Sequence, residues 1–548
     1  MQNTVKRIRA LKQHYRQFRS DLRDFNPRGV FIPKALRDFF RDRITLERAK
    51  KDIKKALETR EDRFLELART QVYGRPDSPY LKLLKIAGCE LSDLEAEVHH
   101  NGLEDTLKRL AGEGVYLTVD EYKGKKDIVR GRESFRASQS DFSPAQSLPG
   151  FVTQSSGTRN LPVRALSPLA WLAEDTLNTG IFLSAHGLFT YTHATYDPIL
   201  PGAGGFAFLM QLAKLGHAPE RWFAGRIPID RWLVRAYNYA AVYETVLAAK
   251  FFGPGFPRPE LFQFGDVRPI VRWVIEQRQR GKSCCIRTVA SNSARIARAA
   301  REMGESLEGT KFISSGEPLT EGKREVIEQV GASTTLLYGY MPGPVHVSLG
   351  CANPAYTDEM HVNQNMLAIV PHPTPIAYEG PAIQPLLFTT LSPSAAKLQL
   401  NVDNGDYATL EKRDCGCALE KAGLTLHIHH VRSYEKFTSE GLNYFYGDLF
   451  SVLETTFPSE FGGGPGDYQL VEEEGDRGQT RLTLVVHPEV GTVDEERMIV
   501  RLQECLAEGS RDNRFHTKFW QDSGTLRVRR EIPHVSARGK TLPLRIAR

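Results

Sequence analysis

From Phe151 to about Leu410 the chain alternates between helix-periodic stretches, such as VRPIVRWVIEQRQRG, and short apolar runs, such as TTLLYGY, MLAIV and PLLFTTL. A 3.6-residue period buries one stripe of a helix, whereas a few apolar residues between turn formers suit a buried strand. Alternation of the two predicts an α/β body of layered sheets and helices. Beyond Arg432 the pattern changes to that of a smaller α+β unit. YQLVEEEGDRGQTRLTLVVHPE predicts a strand pair around a polar turn, DEERMIVRLQECLAEG a helix, and GTLRVRREIPH a further strand.

At 548 residues the chain exceeds one ordinary core. Three segments are expected: a basic helical extension (1–75), a large domain (76–432) and a small C-terminal domain (433–548). The net charge of +6 is concentrated in the first seventy residues, which read as helices broken at Asn26-Pro27 and Ile32-Pro33. Acids are interleaved there and no stacking aromatics accompany the charge, so a nucleic-acid partner is not expected. No apolar run is long enough for a membrane span, and the N-terminus lacks the apolar core of a secretory signal. Seven cysteines, an odd count, argue against a disulfide framework and for a reducing compartment, hence the cytoplasm. Oligomeric state is not readable.

One loop stands out. FVTQSSGTRNLPVR places Ser155, Ser156, Gly157 and Thr158 between apolar flanks and closes at Pro162. Hydroxyls and unhindered backbone N–H groups of this kind can wrap phosphate oxygens, although the Gly-Lys-Ser/Thr ending of a Walker loop is absent. Taken alone, the loop is weak evidence, and a surface turn is the better reading.

Five segments in order remove that ambiguity. SSGTRNLP resembles the phosphate loop of adenylate-forming enzymes, the group that contains acyl-CoA synthetases and peptide-synthetase adenylation domains. ISSGEPLTEGKREVIEQVGASTTLLYGYMPGP is similar to the family's adenine-facing turn and Tyr-Gly strand end. LFTTLSPSAAKLQLNVDNGDYATL resembles its ribose-gripping Gly-Asp stretch. HHVRSYEKFTSEGLNYFYGDLFSVLE looks like the crossing into the mobile small domain, and ARGKTLPLR like the closing Gly-Lys element. The phenylacetate–CoA ligase-like branch is the best fit, over roughly Pro76 to Arg548.

The resemblance implies ATP and Mg²⁺ as cofactors, and activation of a carboxylic acid, preferably aromatic, as an acyl-adenylate. Ser155, Ser156, Gly157 and Thr158 would hold the terminal phosphates, with Arg159 an additional cation. Gly316, Glu317 and Pro318 would line the adenine site beside Tyr338 and Gly339. Asp406 would accept both ribose hydroxyls, Arg432 would sit nearby at the hinge, and Lys540 would bridge carboxylate and phosphate. A thiol of coenzyme A or of an acyl or peptidyl carrier protein would then take the acyl group. Three departures stand against the pattern. Met341 and Pro342 occupy the place of the acid that helps hold magnesium, Asn160 replaces a loop glycine, and SYEK blurs the hinge acids. An acyltransferase, an amide-forming relative and a catalytically silent scaffold are therefore alternative readings.

Cys351, His361, Cys415 and Cys417 form a second set. Three thiols and an imidazole, with one tight Cys-x-Cys pair, are the right chemistry for a closed tetrahedral zinc site. Relatives in the same branch hold a structural zinc with similarly placed residues. His427 to His430 offer rival ligands, and buried reduced thiols are the plain alternative. Cys284 and Cys285, adjacent on a predicted strand, point to opposite faces and are read as packing residues.

Overall fold

The structure is a computed structural model that describes residues 32–144, 148–154, 164–202, 204–225, 232–262, 266–339, 346–374, 384–433, 446–474, 480–507, 526–536 and 539–546. Its centre is a twelve-stranded sheet. Six strands form the parallel half: β1 (Thr192–Tyr196), β2 (Arg221–Gly225), β3 (Pro259–Phe262), β4 (Cys284–Val289), β5 (Lys311–Ser315) and β6 (Ser333–Gly339). Their spatial order is β3-β2-β1-β4-β5-β6, every neighbouring pair parallel. The order reverses between β1 and β4. In open α/β sheets, that reversal opens a crevice beyond the carboxyl ends of the strands.

Helices cover both faces of the parallel half. Ile270 and Trp273 of the helix Arg268–Gln279 pack with Cys284, Ile286 and Phe312, whereas Ile181 and Phe208 pack on Cys285 and Ile313 from the other side. Strand β4 is consequently buried at every position, as a central parallel strand must be. The two adjacent cysteines face opposite layers, and burial pushes both thiols up, Cys284 to about 12, so neither is a ready nucleophile.

The sheet continues from β6 into antiparallel strands: β7 (His346–Gly350), β8 (Met360–Val362), β9 (Leu367–Pro371), β10 (Pro385–Thr390), β11 (Val402–Lys412) and β12 (Leu426–Ser433). Their order is β7-β8-β12-β11-β10-β9. Residues of 64–142 form one core with Ala368, Val370, Leu387 and Val402 of this half. The N-terminal helices from Pro33 onward also pack into the body. Leu36, Phe39 and Phe40 join Trp222 and Ala249, while Ala49 and Ile53 join Ile181 and Leu188.

The small unit has its own core. Strands β13 (Tyr468–Glu474), β14 (Thr480–Val486), β15 (Leu526–Arg530) and β16 (Leu544–Ile546) form a four-stranded sheet in the order β15-β14-β13-β16. Leu449, Leu453 and Phe457, together with Met498 and Leu502, close over Leu470, Leu482 and Leu484. The antiparallel pairing of β13 with β14 matches the expected hairpin. No helix among the described residues is long and apolar enough to cross a membrane.

Candidate functional site

The carboxyl end of β5 runs into Gly316, whose φ of +77° lies in the left-handed region. The Lys540 side chain lies close to it. A Cβ on Gly316 would come 3.1 Å from Cε and 3.3 Å from Nζ of Lys540. The tail lysine thus lies directly on the glycine turn. A small turn holds it there, in which Gly539 N and Lys540 N donate to Ser536 O and Ser536 Oγ at 2.8 and 3.0 Å.

Beside that turn stands β6. Its register pairs Leu337 with Ser315, which sets Tyr338 next to Gly316. The Tyr338 hydroxyl donates to Asp406 Oδ2 at 2.7 Å and accepts from Asn404 Nδ2 at 3.1 Å. Gly339 lies at a register shift, where β6 hands over to β7. Lys540, Gly316, Tyr338 and Asp406, separated by up to 224 positions, therefore meet at one end of the sheet. Ser155, Ser156, Gly157, Thr158 and Arg159 lie outside the described residues, as do Asn160, Met341 and Pro342. The strands on either side of the first of these segments, Gly150–Gln154 and Arg164–Pro168, pair antiparallel.

Two expected site residues have other partners. Glu317 is turned inward: its carboxylate accepts from Ser291 N at 2.7 Å and Ser291 Oγ at 2.8 Å, tying the turn to the start of the helix Ala290–Glu302. The pairing of β11 with β12 sets Arg432 opposite Tyr407 rather than Asp406. Its Nη1 donates to Asp358 Oδ2 at 3.0 Å. Pro318 contributes a carbonyl, which accepts from Lys323 Nζ at 3.4 Å.

The small unit is seated on the body by charges that spacing in the sequence does not disclose. Lys323 Nζ lies 2.9 Å from Glu454 Oε1, both side chains almost wholly buried, and Thr320 Oγ1 donates to Glu454 Oε2 at 2.8 Å. Burial pushes the Glu454 carboxyl up, and the Lys323 ammonium partly offsets that. Gly322 permits the approach, because a Cβ there would strike Glu454 O. Arg295 Nη1 donates to Gly539 O at 2.7 Å and its Nη2 to Thr541 Oγ1, while Arg298 Nη1 pairs with Asp467 Oδ1 at 2.6 Å. A third pair, Arg287 with Asp197, is buried where the strand order reverses. Gly204 and Gly205 leave it room, since a Cβ on either would collide with it. Nothing in the local sequence marks these residues as partners.

At the far end of the antiparallel half, Cys351, His361, Cys415 and Cys417 place their ligating atoms within 4.8 Å of one another. His361 Nε2 is 3.5 Å from Cys415 Sγ and 3.2 Å from Cys417 Sγ. Its Nδ1 lies 2.6 Å from the carbonyl of Leu424. A carbonyl only accepts, so Nδ1 carries the proton and Nε2 turns its lone pair toward the sulfurs. The Cys417 thiol is pushed down by its hydrogen bond from Cys351 and by His361 beside it. Among the rival histidines, His427 joins Cys351 and Glu359 instead, while His429 stacks on Tyr356 at 4.0 Å. His427 Nδ1 is 2.5 Å from Glu359 Oε1, and Arg413 Nη2 donates to the same oxygen at 2.6 Å.

A 2-hydroxyisobutyryl-CoA ligase in the postadenylation state, in complex with 2-HIB-AMP, superposes with a TM-score of 0.53 at 14% identity, over 90% of this chain and 89% of that one. The chain has the fold of that ligase. The same ligase with R3-HIB-AMP gives the same score, identity and coverage. An O-succinylbenzoate coenzyme A synthetase from Bacillus subtilis, with ATP and magnesium, overlaps less, at a TM-score of 0.40 and 12% identity over 72% of this chain and 68% of that one. No family model and no curated protein matches the sequence. The large α/β body with a small sheet domain is as the alternating pattern predicted.

Proposed function

We propose that this protein activates a carboxylic acid with ATP as an acyl-adenylate and passes the acyl group to a thiol, releasing AMP and pyrophosphate. The observation that supports this most is the meeting of Lys540 with Gly316 beside the Tyr338–Asp406 pair. A carboxylate is a poor electrophile, because oxide would have to leave. Attack on the α-phosphorus of ATP turns the leaving group into AMP. What the chain must supply is alignment and charge.

Lys540 supplies a compact cation on a flexible stem at the end of β5, suited to hold acid carboxylate and α-phosphate together. Gly316 lets that ammonium reach the backbone. Tyr338 offers an aromatic face next to the same turn, and Asp406 has the two-oxygen acceptor that a ribose diol requires. Ser155, Ser156, Gly157, Thr158 and Arg159 would take the β- and γ-phosphates. Magnesium would arrive with those phosphates, since Tyr340, Met341 and Pro342 provide no carboxylate after Gly339. The acyl part of the substrate, preferably an aromatic acid, would lie in the crevice between β1 and β4. Arg432, fixed on Asp358, would act at the junction with the small domain. Coenzyme A or a carrier protein would supply the thiol, along the lines of a phenylacetate–CoA ligase. ATP–pyrophosphate exchange over a panel of organic acids tests the first half-reaction, and no exchange with any acid would leave the non-adenylating acyltransferase and the scaffold readings. Thioester formation with coenzyme A or with a carrier protein then identifies the acceptor.

The four-residue cluster would hold one structural Zn²⁺. The donors fit: three thiols and an imidazole whose tautomer is set by a backbone carbonyl, the usual outer-shell device. Three thiolates around Zn²⁺ leave one net negative charge, and Arg413 Nη2, paired with Glu359, lies 3.7 Å from Cys351 Sγ. Elemental analysis is expected to find about one zinc per chain, lost in Cys417→Ser. A zinc-free protein after expression in zinc-replete medium would contradict the assignment.

A further inference from the structure

Lys323 serves two carboxylates. Its Nζ lies 2.9 Å from Glu454 Oε1 of the small unit and 3.9 Å from Glu317 Oε2 of the glycine turn. All three side chains are at most 4% exposed. Two carboxylates against one ammonium leave this enclosed trio one positive charge short, and an uncompensated buried charge is costly. The other charged groups around the junction are Arg295, Arg298, Arg301 and Glu325. Arg298 is held by Asp467 and Glu302, Arg295 by Gly539 O and Thr541 Oγ1, and Arg301 by Gln329 Oε1. Those guanidinium groups are engaged elsewhere, and the deficit at the trio stays.

The two carboxylates differ in what parting of the units would do to them. Glu317 and Lys323 both belong to the body. Glu317 accepts from Ser291 N and Ser291 Oγ at the start of a helix, where negative charge is favoured, and neither bond involves the small unit. Glu454 lies in the helical turn Val452–Thr456 of the small unit, while its partners Lys323 and Thr320 lie in the body. Parting would leave the body with one carboxylate and one ammonium, and would return Glu454 to water. Seating therefore adds a second, unbalanced carboxylate to a balanced pair.

We propose that seating of the small unit takes up a proton at Glu454, so that pH governs how often the Lys540–Gly316 contact is made. The proton comes from solvent and forms one O–H bond on the carboxylate. The surroundings accommodate it without losing a partner. Oε1 can still accept from Lys323, and the Thr320 hydroxyl, 2.8 Å from Oε2, can turn from donor to acceptor. Burial, with Glu317 beside it, holds the Glu454 pKa above the ordinary 4.5, and the Lys323 ammonium offsets part of that rise. The contribution to seating is thus complete below pH 4.5 and is lost as pH rises through the higher, seated value.

Hydrogen–deuterium exchange of the full-length protein reads the seating without ATP or an acid, so its outcome is separate from that of pyrophosphate exchange. Protection, corrected for intrinsic exchange at each pH, is followed at residues 319–328 and 449–457, with residues 284–289 of the body core as reference. Between about pH 5 and 9 the wild-type interface is expected to lose up to about tenfold in protection per pH unit, with the reference flat. Glu454→Gln is expected to make the interface flat as well. Glu317→Gln, which removes the other carboxylate, is expected to move the wild-type fall to lower pH, and it decides the matter if Glu454→Gln fails to fold. A pH-independent wild-type interface or an equal fall in Glu454→Gln would overturn the proposal. An unmoved fall in Glu317→Gln, or a fall shared by residues 284–289, would do the same.

Discussion

The Lys540–Gly316 contact and the Cys351–His361–Cys415–Cys417 cluster both join residues distant in sequence, yet they are held by different means. The first spans two cores. Lys540 belongs to the small unit and Gly316 to the body, so their meeting depends on Arg295, Arg298 and Lys323 keeping the two together. The second lies within one core, between strands of the same sheet and under the helix Leu169–Ala185. A contact between two folded units is able to part without unfolding either. A cluster woven through one core is not. The difference teaches where to look for chemistry and where for permanence: the separable contact suits catalysis, the woven one structure.

That contrast can be broken experimentally. The largest effect is expected from Lys540→Ala, which should lower pyrophosphate exchange by about 10²–10³-fold while leaving the melting transition and zinc content unchanged. Equal exchange would remove the lysine from the chemistry, and lost zinc would show that the two regions are coupled. Next, His427→Gln removes an imidazole packed 4.0 Å from His361 without touching the small unit. Zinc affinity, measured by competition with a chromophoric chelator, should fall about 10–100-fold with exchange preserved. The smallest effect concerns neither region and serves as the reference. His193, buried against the carbonyl of Leu188, is held neutral by desolvation, its pKa lowered to about 4. Its contribution to stability is complete above the unfolded pKa near 6.5 and is lost as pH falls toward 4. In denaturant titrations His193→Asn should therefore flatten the stability profile between pH 6.5 and 4 by about 1 kcal/mol per pH unit.

Much of the architecture was legible because hydrophobic period is local. The runs TTLLYGY, MLAIV and PLLFTTL became β6, β9 and β10, and the two strands expected on either side of residues 475–479 pair antiparallel. The cysteine set was legible for a related reason: few residue types bind soft metals, so chemistry alone narrows the choice. What escaped the sequence was pairing across long separations. Lys323 and Glu454 look like solvated charges on amphipathic helices, and only the docking of one unit on the other buries them. Glu317 sits in the expected adenine turn, yet its carboxylate goes to Ser291, 26 positions earlier, because the start of a helix there needs an acceptor. The Arg287–Asp197 pair depends on two glycines in a different segment.

The ion pair sealed under the small unit carries one more implication. Water cannot reach Lys323 or Glu454 while the units touch, and a slight gap would strand both charges between protein and solvent. Parting must therefore hydrate them together, in a single step. The small unit is thus either seated or released, and the fold keeps intermediate tilts scarce.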